Sequence, residues 1–301
     1  MWGSLRRADG LGISASGRLF CAMASLRTLI DGHTHSQFSW DASGGCMLAS
    51  CKRADELGLG GIAFTEHADL TAWVIPPGVA TDPAWEPYRE GQTLRLPQLD
   101  LEPYLAMVEE CRRRYPKLTI LSGVEISEPH WHSEQAEEFL ADDRLDRVIS
   151  SVHACPVDGG ACESYALFAQ RSPGEVLRTY LEEVRRMIET TDVRVLAHID
   201  YAARYWPDDA EPLDLQQFER EHRDALAALA ARGGALEINT RRPLETQVLE
   251  WWIADNGNVV TFGSDSHAPH TVAAGLPRAA ALAARLGFHP APNPQHPWQL
   301  R

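Results

Sequence analysis

Two histidines separated by one residue, His33 and His35 in DGHTHSQFSWDA, open a set of side chains whose types suit metal chemistry. His67 follows in FTEHAD, Glu125 in GVEIS, His153 in SSVHA, His198 in VLAHID, and Asp265 with His267 in GSDSHAP. Imidazole and carboxylate donors without thiolate suit Zn²⁺, Fe²⁺ or Mn²⁺. Eight donors are too many for one ion, so the set implies a cluster of two or three divalent transition metals. An HxH pair alone is a weak signal and more readily a polar strand end, and His67, His153 or His198 taken singly reads as a hydrogen-bonded core or rim histidine. Such unrelated reasons would have to coincide six times to explain the whole set.

The coincidence is one of position along the chain. Short apolar runs at 28–30, 60–65, 118–126, 147–152, 193–199, 234–239 and 258–264 each alternate with a segment of helical period, and the donors stand where the runs end. Seven strands alternating with helices imply an α/β fold with a parallel sheet, and the absence of a composition break favours one closed barrel over two domains. Parallel barrels carry their sites at the C-terminal ends of the strands. Side chains two apart on a strand share a face, so His33 with His35, and Asp265 with His267, can each present two donors to one cavity. The Pro- and Trp-rich stretch from Leu70 to Pro97 has no period and is placed over that site as a lid or binding loop.

The rest of the composition narrows the class. The chain has 301 residues, 44% hydrophobic and 23% charged, with a formal net charge of −14. That balance excludes broad nucleic-acid coating and long disorder. No run approaches the roughly 18 apolar residues of a membrane span. The six cysteines are scattered without a CxxC pair, which argues against a zinc ribbon or a secreted disulfide framework and suits the cytoplasm. Residues 1–28 read as a loose extension with a possible start at Met23, and 29–301 as the barrel domain. The oligomeric state is not legible.

In order along the chain, DGHTHSQFSWDA, GIAFTEHAD, GVEISEP, ISSVHA, VLAHIDY, LEINT and FGSDSHAP resemble the successive motifs of the PHP (polymerase and histidinol phosphatase) family, in particular its histidinol-phosphatase branch. The resemblance implies a distorted (β/α)7 barrel with a trinuclear metal centre at the C-terminal strand ends. It implies His33, His35, Glu125 and Asp265 around a first metal. Glu125 would bridge to a second metal completed by His153 and His198, and Asp41, His67 and His267 would hold a third. Many relatives have histidine at the position of Asp41, and this oxygen donor hardens the site toward Mn or Fe. Where relatives often read TDH, this chain has Thr65-Glu66-His67, so Glu66 reaches any supporting role by a longer arm.

The activity implied is metal-dependent hydrolysis of L-histidinol phosphate in histidine biosynthesis. A metal-bridging hydroxide would attack phosphorus, with Asp265, Glu125 and His153 as the catalytic side chains. The substrate is a small phosphorylated molecule, and its phosphate calls for cationic or hydrogen-bonding groups. Arg204 in HIDYAARYWP, Arg241 or Arg242 in EINTRRP, and His267 are the candidates, with Arg204, Arg242 and His267 expected to bind it. Asp69, Glu128, Trp131, Tyr201 and Trp206 could receive the cationic, imidazole-bearing leaving group. His130 and His132 form a second HxH without a carboxylate set, which favours a pocket-lining or surface role. The alternatives are another phosphoester, such as a nucleotide or a 3′,5′-bisphosphate, and a non-catalytic PHP module.

Overall fold

The computed structural model describes residues 26–301. The extension expected over 1–28 therefore lies mostly outside the described residues. Leu26 O accepts from Leu29 N at 3.0 Å and from Gly60 N at 3.1 Å. Seven parallel strands follow in chain order: β1 Ile30–Thr34, β2 Gly61–Asp69, β3 Thr119–Ser127, β4 Arg147–Ser151, β5 Val195–Leu196, β6 Ala235–Asn239 and β7 Val259–Gly263. Each is followed by a helix: α1 Met47–Leu57, α2 Leu101–Arg114, α3 Ser133–Ala141, α4 Pro173–Thr190, α5 Glu219–Ala231, α6 Thr246–Ala254 and α7 Leu276–Arg285. The alternation of apolar strands with amphipathic helices thus gives the expected α/β architecture, a curled parallel sheet forming a distorted barrel.

Local chemistry sets these boundaries. Ser172 and Glu175 form a reciprocal capping box ahead of Pro173, which starts α4, and Gly58 ends α1 at φ 70°, a conformation other residues resist. The helices bury their apolar faces on the sheet through residues such as Met47, Cys51, Val184 and Trp252. Two buried tyrosines fix helix to strand. Tyr104 OH donates to Phe64 O at 2.7 Å and accepts from Gly123 N at 2.6 Å, and Tyr180 OH donates to His198 O at 3.0 Å. Among the described residues no helix is long and apolar enough to cross a membrane, and Cys46, Cys51, Cys111, Cys155 and Cys162 are free.

The barrel is distorted in a specific way. At the C-terminal end of the strands β1 and β7 meet: Thr34 forms a parallel bridge with Ser266, His35 N donates to Ser266 O at 2.8 Å, and Asp265 N donates to His33 O at 2.8 Å. That approach requires glycine at 263, where a Cβ would stand 2.2 Å from Glu237 Oε1 and 2.4 Å from His33 Cβ. At the other end β7 pairs antiparallel with a C-terminal hairpin, β8 Phe288–His289 and β9 Trp298–Leu300. This hairpin is absent from the sequence expectation because the proline-rich run between its strands masks them. β5 is shorter than the 193–199 run predicted. His198 N leaves the ladder and donates to the Glu237 carboxylate at 2.9 Å.

Over the closed end lies a second, five-stranded sheet of short pieces, 89–90, 93–94, 73–74, 160–163 and 154–157 in spatial order. The stretch expected to be an irregular lid therefore carries strands. Trp73 pairs with Leu94 on one side and Ala161 on the other. The sheet has its own apolar cluster of Trp73, Ile75, Leu94, Leu96, Ala154 and Ala161, against which Trp40, Trp85, Tyr88 and Trp131 pack.

Candidate metal centre

Strand register brings the donors together. In the β2–β3 pairing His67 lies beside Glu125 and Asp69 beside Ser127, and paired residues of parallel strands project to the same face. Glu125 is buried at the centre. Its carboxylate lies 2.7 Å from His198 Nε2, 3.1 Å from His33 Nε2, 3.3 Å from His67 Nδ1, 3.4 Å from His153 Nε2 and 3.5 Å from His35 Nε2. Asp265 Oδ1 is 3.5 Å from His35 Nε2 and 3.8 Å from His33 Nε2. Asp41, carried on the loop after β1, reaches His267 Nε2 at 3.0 Å and His67 Nε2 at 3.4 Å. All nine donor positions expected from the sequence thus share one cluster, buried except for the half-buried Asp41 and His267 at its rim.

The cluster suits cations rather than a hydrogen-bond network. Nε2 of His33 and Nε2 of His35 stand 3.1 Å apart, and both point at the same carboxylates. Asp41 Oδ1, His67 Nδ1 and His198 Nδ1 are buried without a hydrogen-bond partner, a costly arrangement unless something else satisfies them. His33 with His35 and Glu125, Glu125 with His153 and His198, and His35 with His67 and His267 each keep their donor atoms within 4.8 Å of one another. His67, Asp69 and His153 form a further such group, which the sequence did not indicate.

Electrostatics follow from the same crowding. Burial pushes the Glu125 and Asp265 carboxyls up, but surrounding charge overrides it and holds both well below the usual carboxylate range. The imidazoles of His33, His153 and His198 act on Glu125, and Arg204 with His33 on Asp265. Burial opposes charge on His33 and His67, yet Glu237 and Glu125 drive the first well upward and Asp41 and Asp69 the second. His35 goes the other way, because burial and the neighbouring imidazoles of His67 and His267 both disfavour its cation.

Behind the donors stands a ring of carboxylates that fixes their orientation. Glu237 accepts from His33 Nδ1 at 2.8 Å, and Asp69 accepts from His153 Nδ1 at 3.1 Å while also taking Trp40 Nε1 and Ser127 Oγ. Glu66 faces inward. Ser39 Oγ donates to it at 2.6 Å and accepts from His35 Nδ1 at 3.1 Å, so the acid supports His35 through the serine. Glu237 was not anticipated, although a lone acid in the apolar run GALEIN is the signal that could have found it. Two backbone positions beside the cluster are left-handed without being glycine: Asp265 at φ 53° and Glu128 at φ 43°.

Not every expected contact arrives. Arg204 lines the pocket, donates to Asp265 Oδ2 at 2.7 Å, and keeps buried Nε and Nη2 groups without partners. Arg241 also lines it and lies 3.0 Å from His267 Nδ1. Arg242, expected to bind phosphate, instead donates to Ala203 O and is not part of the pocket wall; successive residues leaving β6 project in different directions. Of the leaving-group candidates, Asp69 and Tyr201 line the pocket. Glu128 is committed to the backbone N–H groups of His153 and Ala154, at 2.6 and 2.8 Å, Trp131 packs on the lid cluster, and Trp206 bonds Glu211 O. His130 pairs with Glu183 at 3.1 Å and His132 with Thr71 at 2.9 Å.

Comparison with known proteins adds to this geometry. The PHP domain family model matches residues 31–241. A histidinol-phosphatase from Lactococcus lactis subsp. lactis (strain IL1403) is 26% identical over 273 residues, covering 86% of this chain and 92% of the relative. A "Probable histidinol-phosphatase" from Thermotoga maritima is 25% identical over 82% of this chain and 88% of its own. Among solved structures, histidinol phosphate phosphatase from Lactococcus lactis, complexed with zinc, L-histidinol and phosphate, is similar with a TM-score of 0.69 and 25% identity, covering 87% of this chain and 95% of that one.

Proposed function

The chain belongs to the PHP domain family, and from that premise we propose that it is a metal-dependent phosphomonoesterase hydrolysing L-histidinol phosphate to L-histidinol and phosphate, as a cytoplasmic enzyme of histidine biosynthesis. The observation that carries this reading is the convergence of nine donor side chains in one cluster, seven of them lining a pocket that Arg204, with its unpartnered N–H groups, also lines. A non-catalytic module would have no use for a complete donor set beside a guanidinium with two buried N–H groups left over.

Under this reading His33, His35, Glu125 and Asp265 hold one ion, Glu125, His153 and His198 a second, and Asp41, His67 and His267 a third, each Zn, Fe or Mn. Bound there, divalent ions supply Lewis acidity and lower the pKa of water. The chain's own groups do the rest. Arg204 donates Nε and Nη2 to the non-bridging phosphate oxygens while Nη1 stays on Asp265. Asp265 orients the attacking water, Arg241 adds charge beside His267, and the aromatic lid excludes bulk water. The relatives' names and the zinc, histidinol and phosphate of the similar structure support the choice of substrate.

The test is steady-state hydrolysis by the metal-loaded protein of L-histidinol phosphate, nucleoside monophosphates, a 3′,5′-bisphosphate and phenyl phosphate. L-histidinol phosphate should give the highest kcat/KM, with two to three metal ions per chain by elemental analysis. Equal turnover of phenyl phosphate would overturn the substrate, and a better bisphosphate or nucleotide would replace it.

A further inference from the structure

One acid in the pocket forms no hydrogen bond with a metal donor; it caps the turn at 164–167 and holds Tyr201, whose ring lies 4.8 Å from that of His153. Glu163 ends the lid hairpin, is 1% exposed, and lines the cavity. Tyr201 OH donates to its Oε1 at 2.6 Å and Tyr165 N to its Oε2 at 2.8 Å. A carboxylate has about four lone-pair positions, so this one is held in place by two donors with acceptor capacity remaining. Asp69, by contrast, spends its oxygens on Trp40, Ser127 and His153. Among the described residues no lysine, arginine or histidine forms an ion pair with Glu163, and a cation brought beside a buried carboxylate offsets the cost of its charge.

Aromatic rings on and against the lid sheet that carries Glu163 line the same cavity. Trp40 lies 5.3 Å from Trp85 and 5.8 Å from Trp73 between ring centroids, and Trp73 and Trp85 are 6.3 Å apart, so the three form one wall. The Trp73 indole N–H is buried without an acceptor. An acid lacking a cation, a wall of electron-rich faces, and an unused donor complement a leaving group that carries an ammonium and an acceptor-bearing flat ring. The donors at the pocket wall and Arg204 line the same cavity and would take the phosphate.

We propose that Glu163, backed by the wall of Trp40, Trp73 and Trp85, is the subsite that selects phosphomonoesters whose leaving alcohol bears an ammonium group. This rests on the phosphomonoesterase reading above and adds the residues that decide the leaving group. Burial pushes the Glu163 carboxyl up to about 7 in the absence of such a cation, consistent with a group waiting for a counter-charge.

The experiment compares kcat/KM for L-histidinol phosphate, its deaminated analogue and phenyl phosphate in the metal-loaded wild type, Glu163→Gln and Glu163→Asp. Binding of L-histidinol and deaminated histidinol is followed in parallel by tryptophan fluorescence. The wild type should prefer the amine-bearing ester over its deaminated analogue by roughly 10- to 100-fold, the range of a charge-assisted hydrogen bond. In Glu163→Gln that ratio should fall to within about 3-fold of unity, with Glu163→Asp recovering part of it. A ratio that survives in Glu163→Gln, in turnover and in binding, overturns the subsite while leaving the phosphatase activity standing. A wild type indifferent to the amine in both readouts also overturns it. A wild type that prefers other amine-bearing esters to L-histidinol phosphate overturns only the substrate named earlier and supports the subsite.

Discussion

The metal donors and the aromatic lid border one pocket and are built in opposite ways. Every donor but the loop residue Asp41 sits on or just beyond a strand of the main sheet, and several are braced by a second acid: His33 by Glu237, His153 by Asp69, His35 by Glu66 through Ser39. The lid is made of strands of two to four residues, held by a small cluster of its own. Precision within a fraction of an ångström is a property of the first design, and tolerance of substitution a property of the second. The molecule thus separates a fixed reaction centre from an adjustable wall, and substitutions on the two sides should fail differently.

The largest effect should come from Glu125→Gln, because five imidazoles converge on that carboxylate. Turnover should fall on the order of 1,000-fold or more, with metal content reduced, while circular dichroism stays native. A variant with native metal content and turnover would remove the centre from the comparison altogether. Next in size is Glu237→Gln, which touches no proposed substrate but releases His33. Metal affinity should fall by roughly 10- to 100-fold, read by competition with a chelator. Trp85→Ala, on the lid, should leave metal affinity alone and raise KM for an amine-bearing ester by roughly 3- to 10-fold. If it lowered metal affinity instead, the two regions would not be separable.

The smallest effect concerns pH. Glu163, pushed up to about 7 by burial, keeps a proton in the folded chain that the unfolded chain gives up near its ordinary carboxyl value. Its contribution is therefore full at low pH and is lost as pH rises toward 7. In the metal-free protein, Glu163→Gln should gain melting temperature relative to wild type between pH 4.5 and pH 7.5, by about 2–5 °C. No gain across that window would mean that the lid acid is already satisfied.

The same division explains what the sequence revealed. Glu125, His153 and His198 follow apolar runs, and a donor at the end of a periodic run is visible from period and type alone. Asp41 lies on a loop and became a candidate only through resemblance to a family. The braces are harder to read: Glu66 is equally compatible with facing solvent, and Glu237 is an acid inside an apolar strand, which has meaning only once its neighbours are known. Arg241 and Arg242 are adjacent in the chain, and which of them turns to the pocket depends on the path of the backbone after β6. The lid sheet and the C-terminal hairpin escaped because strands of two or three residues contain too little alternation to read, and because Trp73 finds its partners at Leu94 and Ala161 across long separations.

The closure of β1 onto β7 has a consequence for how the protein is made. Asp31 accepts from Ser264, 233 residues later, Asp41 meets His267 226 residues later, and His33 meets Glu237 204 residues later. Contacts of such span form late, since the loop they close must first be ordered. On a chain emerging from the ribosome, His33 and His35 are exposed long before Asp265 and His267 exist. His33 and His35 must wait for the last donors, so a complete site appears only on a chain synthesised past His267, and a shorter product has no finished centre with which to capture metal.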